Sequence, residues 1–293
     1  MFDLDVSEIS SLNEYLDHAF RIGGKSRGRE IEVRQLVENS SSSIFKGYCC
    51  VCKANREFIL SSNGENFGKD GLLHWREGLE CTGCHLNNRK RASFHLFELF
   101  GKPQTESDIY VTEQRSPFYS ALLKSYPKTI GSEYHGTDYS YGKERLIRLD
   151  DFRFEKIRNE TITALTFEAN RFDFIFCFEV FEHLPDYAKG LSECRRCLKD
   201  RGKLFLTVPF DPNSQMNIAR AKLRPDGSIE HLLSPEYHSD PEQDGGILAY
   251  TNFGWDLLDE MREVGFRKVT GLFYWSLRFA YFGQSNIVFM AVK

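Results

Sequence analysis

The run Phe172-Asp173-Phe174-Ile175-Phe176-Cys177-Phe178 constrains this chain more than any other stretch. Alternate residues of a strand face opposite sides, so a strand apolar at nearly every position needs cover on both faces. Leu204-Phe205-Leu206-Thr207-Val208 repeats the pattern, after a helical stretch at 185–199 and an Arg201-Gly202 turn. Strand, helix and strand in that order make the crossover unit of a parallel sheet. The alternation starts near residue 108, with a short strand at Ile109-Tyr110-Val111 and a helix from Pro117 to Tyr126 ended by Pro127. A further strand opens at Thr129-Ile130. A helix at 254–264 stopped by Gly265, then strands near 268–275 and 286–292, finish the chain as a hairpin. The pattern predicts an open, largely parallel α/β sheet.

Upstream of the sheet, cysteines carry the signal. Cys49-x2-Cys52 and Cys81-x2-Cys84 each have the bite to place two thiolates on one tetrahedral ion, and together they complete a four-sulfur shell. No export signal precedes them, so the spacing points to structural zinc rather than disulfides. Lys53, Arg89, Lys90 and Arg91 supply positive charge that would favour thiolate. Cys50 in place of Cys49 would give the less usual C-x-C, and His85 follows Cys84 too closely to be a first choice. Cys194 falls on one helical face with Tyr187, Leu191 and Leu198, and Cys177 lies in an apolar strand. With Cys197 they are expected to be core residues without chemistry.

Residues 1–45 carry a mixed helical pattern that ends at Ser40-Ser41-Ser42-Ser43, expected to be a joint. Residues 89–100 form an amphipathic helix stopped by Gly101-Lys102-Pro103. Lys plus Arg is 38 against 42 for Asp plus Glu, a net charge of −4, which disfavours a whole-surface nucleic-acid binder. No apolar run is long enough to cross a bilayer, and a cytoplasmic protein is expected.

Arg171-Phe172-Asp173-Phe174-Ile175 followed by Glu179-Val180-Phe181-Glu182-His183-Leu184 resembles a signature segment of S-adenosylmethionine-dependent methyltransferases. So do Leu198-Lys199-Asp200-Arg201-Gly202-Lys203-Leu204 and Gly265-Phe266. The resemblance covers roughly 108–293, and with the cysteine pairs it is similar to bacterial members that carry an N-terminal zinc module. It implies a Rossmann-like doubly wound sheet, seven-stranded with the last strand antiparallel, preceded by a small zinc-ribbon-like module. The parts would be an N-terminal helical segment at 1–45, the module and linking helix at 46–104, and a methyltransferase domain at 105–293.

The same resemblance implies a place for each cofactor contact. Glu113 would lie near the methionine amino group and Glu133 on the ribose, Thr161 and Ile162 would flank the adenine, and Glu179 would line the mouth. The usual glycine-rich loop is missing, since Glu113 is followed by Gln114-Arg115-Ser116-Pro117. Gly131 would take over part of its role, and Glu160 would substitute for an adenine-contacting aspartate.

The stretch 209–253 is far longer than a plain connection and concentrates Arg220, Arg224, His231, Glu236, Tyr237 and His238. Leaving a strand at its carboxyl end, it is expected to be the substrate lid, supplying a general base or a second metal site. His238, His231 and His183 are the candidate bases, in that order. The expected activity is methylation of a hydroxyl on a small molecule or carbohydrate. Two alternatives are an rRNA base methyltransferase that touches RNA through Arg89, Lys90, Arg91 and the Lys/Arg at 25–30, and a non-catalytic zinc scaffold. Oligomeric state is not readable.

Overall fold

The computed structural model describes residues 4–38, 44–60, 75–148, 154–240, 243–283 and 286–293. Strand β1 (Asp5–Ile9) and the long helix α1 (Leu12–Glu38) lead into a three-stranded sheet of β2 (Ile44–Cys49), β3 (Ala54–Leu60) and β4 (Leu79–Cys81), with the short helix α2 (Trp75–Gly78) before β4. Helix α3 (Asn88–Leu96) follows, capped by the Asn87 side chain on the Lys90 amide and ending in a wider turn at Phe97–Gly101. Then come β5 (Ile109–Val111), α4 (Pro117–Ser125), β6 (Thr129–Gly131), the hairpin β7 (Glu144–Arg148) and β8 (Phe154–Arg158), β9 (Phe172–Phe178), α5 (Tyr187–Cys197) and β10 (Leu198–Thr207). The insertion folds as β11 (Ile218–Ala219), β12 (Ala221–Leu223), β13 (Ile229–His231), β14 (Tyr237–Asp240), β15 (Gln243–Leu248) and β16 (Thr251–Asn252). Helix α6 (Asp256–Val264), β17 (Lys268–Trp275) and β18 (Ile287–Val292) complete the chain.

The main sheet has seven strands in the order β1-β17-β18-β10-β9-β5-β6. β6, β5, β9 and β10 run parallel, whereas β18 lies antiparallel to both β10 and β17. The strand at the far edge differs from the helical reading of residues 1–45, because Asp5–Ile9 pairs antiparallel with β17. Five residues are too few to distinguish a strand from a helical turn by periodicity, and the pairing depends on an edge formed at the other end of the chain. Ser40 to Ser43 lie outside the described residues.

The alternation along β9 divides the core. Phe172, Ile175 and Cys177 join a cluster with Leu191, Cys194, Leu257 and Met261 of α5 and α6. Phe174, Phe176 and Phe178 join the opposite cluster with Phe94, Phe97, Phe118 and Leu122 of α3, its terminal turn and α4. Phe97 meets Phe174, Phe176 and Phe205 edge-on at 4.9–5.7 Å. Gly265, at φ +107°, ends α6, and the Phe266 amide reaches back to the Met261 carbonyl so that Phe266 enters the core.

The cysteine module is joined to the sheet through Arg91, which is fully buried. Its guanidinium donates to the carbonyls of Phe279 at 2.7 Å and Ala280 at 3.2 Å and lies 4.2 Å from the Phe58 ring. Arg91→Ala would strand two buried carbonyls and open a cavity, an expected loss of about 2–4 kcal/mol. Chemical denaturation should detect it as a lower midpoint.

Candidate functional site

In an open sheet of this kind the ligand crevice lies beyond the carboxyl ends of the strands where the winding reverses, here between β5 and β9. Glu113 follows β5 and Glu133 follows β6. One oxygen of Glu133 accepts the amides of both Gln114 and Arg115 at 2.7 Å, so this carboxylate shapes the loop that lacks glycines. Gly131 sits under the same loop: an added Cβ would lie 2.9 Å from Gln114 Cα, so the strand end accepts no side chain there. Beyond Glu133 the sheet continues only as a parallel bridge to Asn159 before the chain turns out into the β7–β8 hairpin.

Glu113 pairs with Lys90 Nζ at 2.5 Å, while its other oxygen is buried without a hydrogen-bond partner among the described residues. Glu179 follows β9 at φ +52°, a left-handed conformation unfavourable for a branched-free acidic residue and common at functional turns. It pairs with Arg76 at 2.7 Å. Arg89 forks onto Glu77 at 2.6 and 3.0 Å and reaches the Thr207 hydroxyl at 3.2 Å. The cysteine module therefore delivers Arg76, Glu77, Arg89 and Lys90 to the mouth of the crevice.

That placement corrects two expectations. Arg89, Lys90 and Arg91 do not serve the thiols, nor do they face solvent as RNA contacts would, because each is engaged inside the molecule. The cation beside the cysteines is Arg56, whose charge is reinforced by a hydrogen bond with Cys52.

Thr161 bonds Thr163 through their hydroxyls at 3.0 Å, and Ile162 is buried against the core. Glu160 is engaged within the protein. One of its oxygens takes Arg158 Nε at 2.7 Å and the Thr166 hydroxyl at 2.6 Å, and the other takes the Thr166 amide at 3.0 Å.

The four cysteines converge. Cys49 and Cys84 sulfurs are 3.7 Å apart, Cys52 and Cys81 sulfurs 3.9 Å, and all four lie within 4.8 Å of one another. Four thiolates at about 2.3 Å around a tetrahedral ion are about 3.8 Å apart, so the donor set fits zinc. Lys53 and His85, each just after a pair, adopt φ of +53° and +58° and turn the two knuckles inward. Cys50 points away to the Tyr281 hydroxyl at 3.1 Å, and His85 pairs with Glu80.

The insertion packs on the turn Phe181–His183 that follows β9, with the Tyr250 amide donating to the Glu182 carbonyl. It brings His238 of β14 against His183, ring centroids 5.0 Å apart, with the buried Glu182 carboxylate beside both. His231 is not part of this group; it lies exposed on the β12–β13 hairpin. The sequence gives Glu182 no role of its own and places Glu236 only among the polar groups of the insertion. The adjacency of Glu182 to His183 was the available signal for the first, whereas Glu236 is recruited only by the fold of β14.

Comparison with known proteins adds a matching family. Residues 119–206 match the methyltransferase-domain family. This segment spans α4 through most of β10, the parallel core that surrounds the crevice. Those residues carry a methyltransferase domain. Over 91 residues it is 35% identical to an uncharacterised protein of Methanocaldococcus jannaschii, covering 31% of this chain and 37% of that one. Over 49 residues it is 42% identical to the ubiquinone biosynthesis O-methyltransferase of Coxiella burnetii, covering 17% of this chain and 21% of that one. The chain thus spans well under half the length of these two curated relatives. A solved S-adenosylmethionine-dependent methyltransferase from Mesorhizobium loti is 10% identical, with 72% of this chain and 100% of that one covered at a TM-score of 0.43.

Charge at the mouth of this methyltransferase domain responds to pH in one direction. Desolvation alone would push the Glu77 carboxyl up, but Arg89 and Arg76 outweigh it and hold it at about 2. A carboxyl lowered from 4.5 contributes stability that is complete above that value and is lost as the pH falls toward 2. Glu77→Gln should therefore flatten the acid limb of a stability–pH profile measured by thermal unfolding. Glu133→Ala should speed amide exchange at Gln114 and Arg115 by about 10–100-fold, the worth of a charge-assisted hydrogen bond. Unchanged exchange at both amides would mean that Glu133 does not hold the loop.

Proposed function

We propose that this chain is an enzyme that transfers the methyl group of S-adenosylmethionine to a hydroxyl oxygen of a small-molecule or carbohydrate acceptor. The observation that carries the reading is the acidic pair Glu113 and Glu133 at the ends of neighbouring parallel strands, Glu113 just before and Glu133 within the segment 119–206 that matches the methyltransferase-domain family. Glu113 has a buried oxygen in need of a donor, which the methionine ammonium supplies, and Lys90 beside it is the cation for the methionine carboxylate. Glu133 accepts the ribose hydroxyls, Thr161 and Ile162 border the adenine, Gly131 permits close approach, and Glu179 lines the mouth.

A sulfonium is already a good leaving group, so the protein's tasks are to align the acceptor and to remove one proton. The Glu182, His183 and His238 group under the lid is where that proton is lost. The O-methyltransferase among the relatives supports oxygen as the accepting atom. In this reading residues 46–104 hold a structural zinc on Cys49, Cys52, Cys81 and Cys84, and residues 105–293 form the catalytic domain with its lid at 209–253. β1 is then a strand that the N-terminal segment lends to that domain.

Calorimetric titration with S-adenosylmethionine should show one site per chain, and Glu133→Ala should weaken it by about 1–3 kcal/mol. Absence of binding in the wild-type chain would favour the scaffold. Metal analysis of protein purified without chelator should find one zinc per chain. Cys81→Ser should lose it together with the thermal stability of the module, because the metal's binding free energy is also folding free energy.

A further inference from the structure

We infer that Glu182, His183 and His238 form a divalent-metal site beneath the lid, separate from the four cysteines. The three residues offer one ligand atom each, all within 4.8 Å of one another. Glu182 has no solvent exposure, and neither of its carboxylate oxygens has a hydrogen-bond partner among the described residues. Such a carboxylate is costly to bury unless something compensates it. Its nearest polar neighbours are His183 Nε2 and His238 Nδ1, each 3.7 Å from the same oxygen, Oε1. That distance is too long for a hydrogen bond. It is close to the separation of two atoms sharing one ion, since ligands at about 2.1 Å and a tetrahedral angle lie about 3.4 Å apart.

The remaining nitrogen of His183 is held as a metal ligand's would be. His183 Nδ1 lies 2.9 Å from the Leu248 carbonyl, which puts the proton on Nδ1 and leaves the Nε2 lone pair facing Glu182. His238 Nε2 faces Glu236 at 3.8 Å, and Arg220 fixes the other oxygen of Glu236 at 3.3 Å. The carbonyl behind His183 is the kind of outer partner that orients a ligating histidine, and the Glu236 carboxylate stands behind His238 beyond direct hydrogen-bond reach.

Two imidazoles and one carboxylate suit Mn2+, Fe2+, Co2+ or Zn2+ rather than Mg2+ or Ca2+, which favour all-oxygen shells. Three protein ligands leave open positions on the ion. An acceptor with two neighbouring oxygens would fill them, and this assignment of the acceptor rests on the methyl-transfer reading above. A bound hydroxyl then gives its proton to water, and its oxygen forms the O–CH3 bond as the S–CH3 bond breaks. The electron pair of that bond stays on sulfur, which becomes a thioether. The ion takes over the task of a free base, and His238 serves as its ligand.

The test is calorimetric titration of the full, zinc-loaded chain with Mn2+, together with pulsed electron paramagnetic resonance of the Mn2+-bound protein. One Mn2+ per chain is expected, with nitrogen couplings from two directly bound imidazoles. Glu182→Gln and His238→Ala should each weaken binding by about 100-fold and Glu236→Gln by about 10-fold, with zinc content unchanged. No Mn2+ uptake, no nitrogen coupling, or binding that survives both ligand variants would overturn the site. The nitrogen couplings are read on wild-type protein, so a variant that fails to fold leaves the test decisive. S-adenosylmethionine affinity is measured on the same wild-type sample. Its absence would remove the methyl-transfer reading and the acceptor assignment while the metal result stands or falls by itself.

Discussion

A sheet that is apolar on both faces must be covered on both, and in this chain one cover comes partly from the cysteine module. Helix α3 and its terminal turn bring Phe94 and Phe97 onto the face formed by Phe174, Phe176, Phe178 and Phe205. Burial of these aromatic side chains contributes on the order of 2 kcal/mol each, before the entropy of ordering them is set against it. The module is therefore structurally continuous with the α/β domain. Its own core of Phe45, Phe58, Leu79 and the buried cysteines extends to Ala280 and Phe282 between β17 and β18.

That continuity has a chemical consequence. The helix that covers the second face starts at the mouth of the crevice, so its first turn carries Arg89 and Lys90 to Thr207 and Glu113. Arg76 and Glu77 arrive with the short helix α2 before β4. Two arginines and two glutamates alternate there, and mutual neutralisation matters more than any stability gained, because desolvation offsets much of the attraction between buried charges. If the four cysteines hold zinc as proposed, its loss would loosen α3 and with it the cations beside Glu113.

The two candidate metal groups differ in how visible they are along the chain. Paired cysteines at short spacing name their own partners, and the structure gathers Cys49, Cys52, Cys81 and Cys84 while sending Cys50 to Tyr281. Glu182, His183 and His238 have no such spacing. His231 has the same residue type and a similar neighbourhood in sequence, yet it lies exposed at the end of the β12–β13 hairpin, opposite Ala221.

The sequence by itself determined the parallel core, the position of the crevice and the cysteine quartet. Those features rest on local signals: the near-continuous apolar run of β9, helix stops at Pro127 and Gly265, and fixed spacing between thiols. Only the tertiary structure decided that Asp5–Ile9 would be an edge strand, that Arg89, Lys90 and Arg91 would turn inward, that Glu160 would be consumed by Arg158 and Thr166, and that the lid would seat His238 on Glu182. Each of these outcomes is a pairing between groups distant in sequence or a competition for one partner. A strand needs an edge, a buried cation needs acceptors, and a buried carboxylate needs a compensating group, and none of the three can be assigned until the chain has folded.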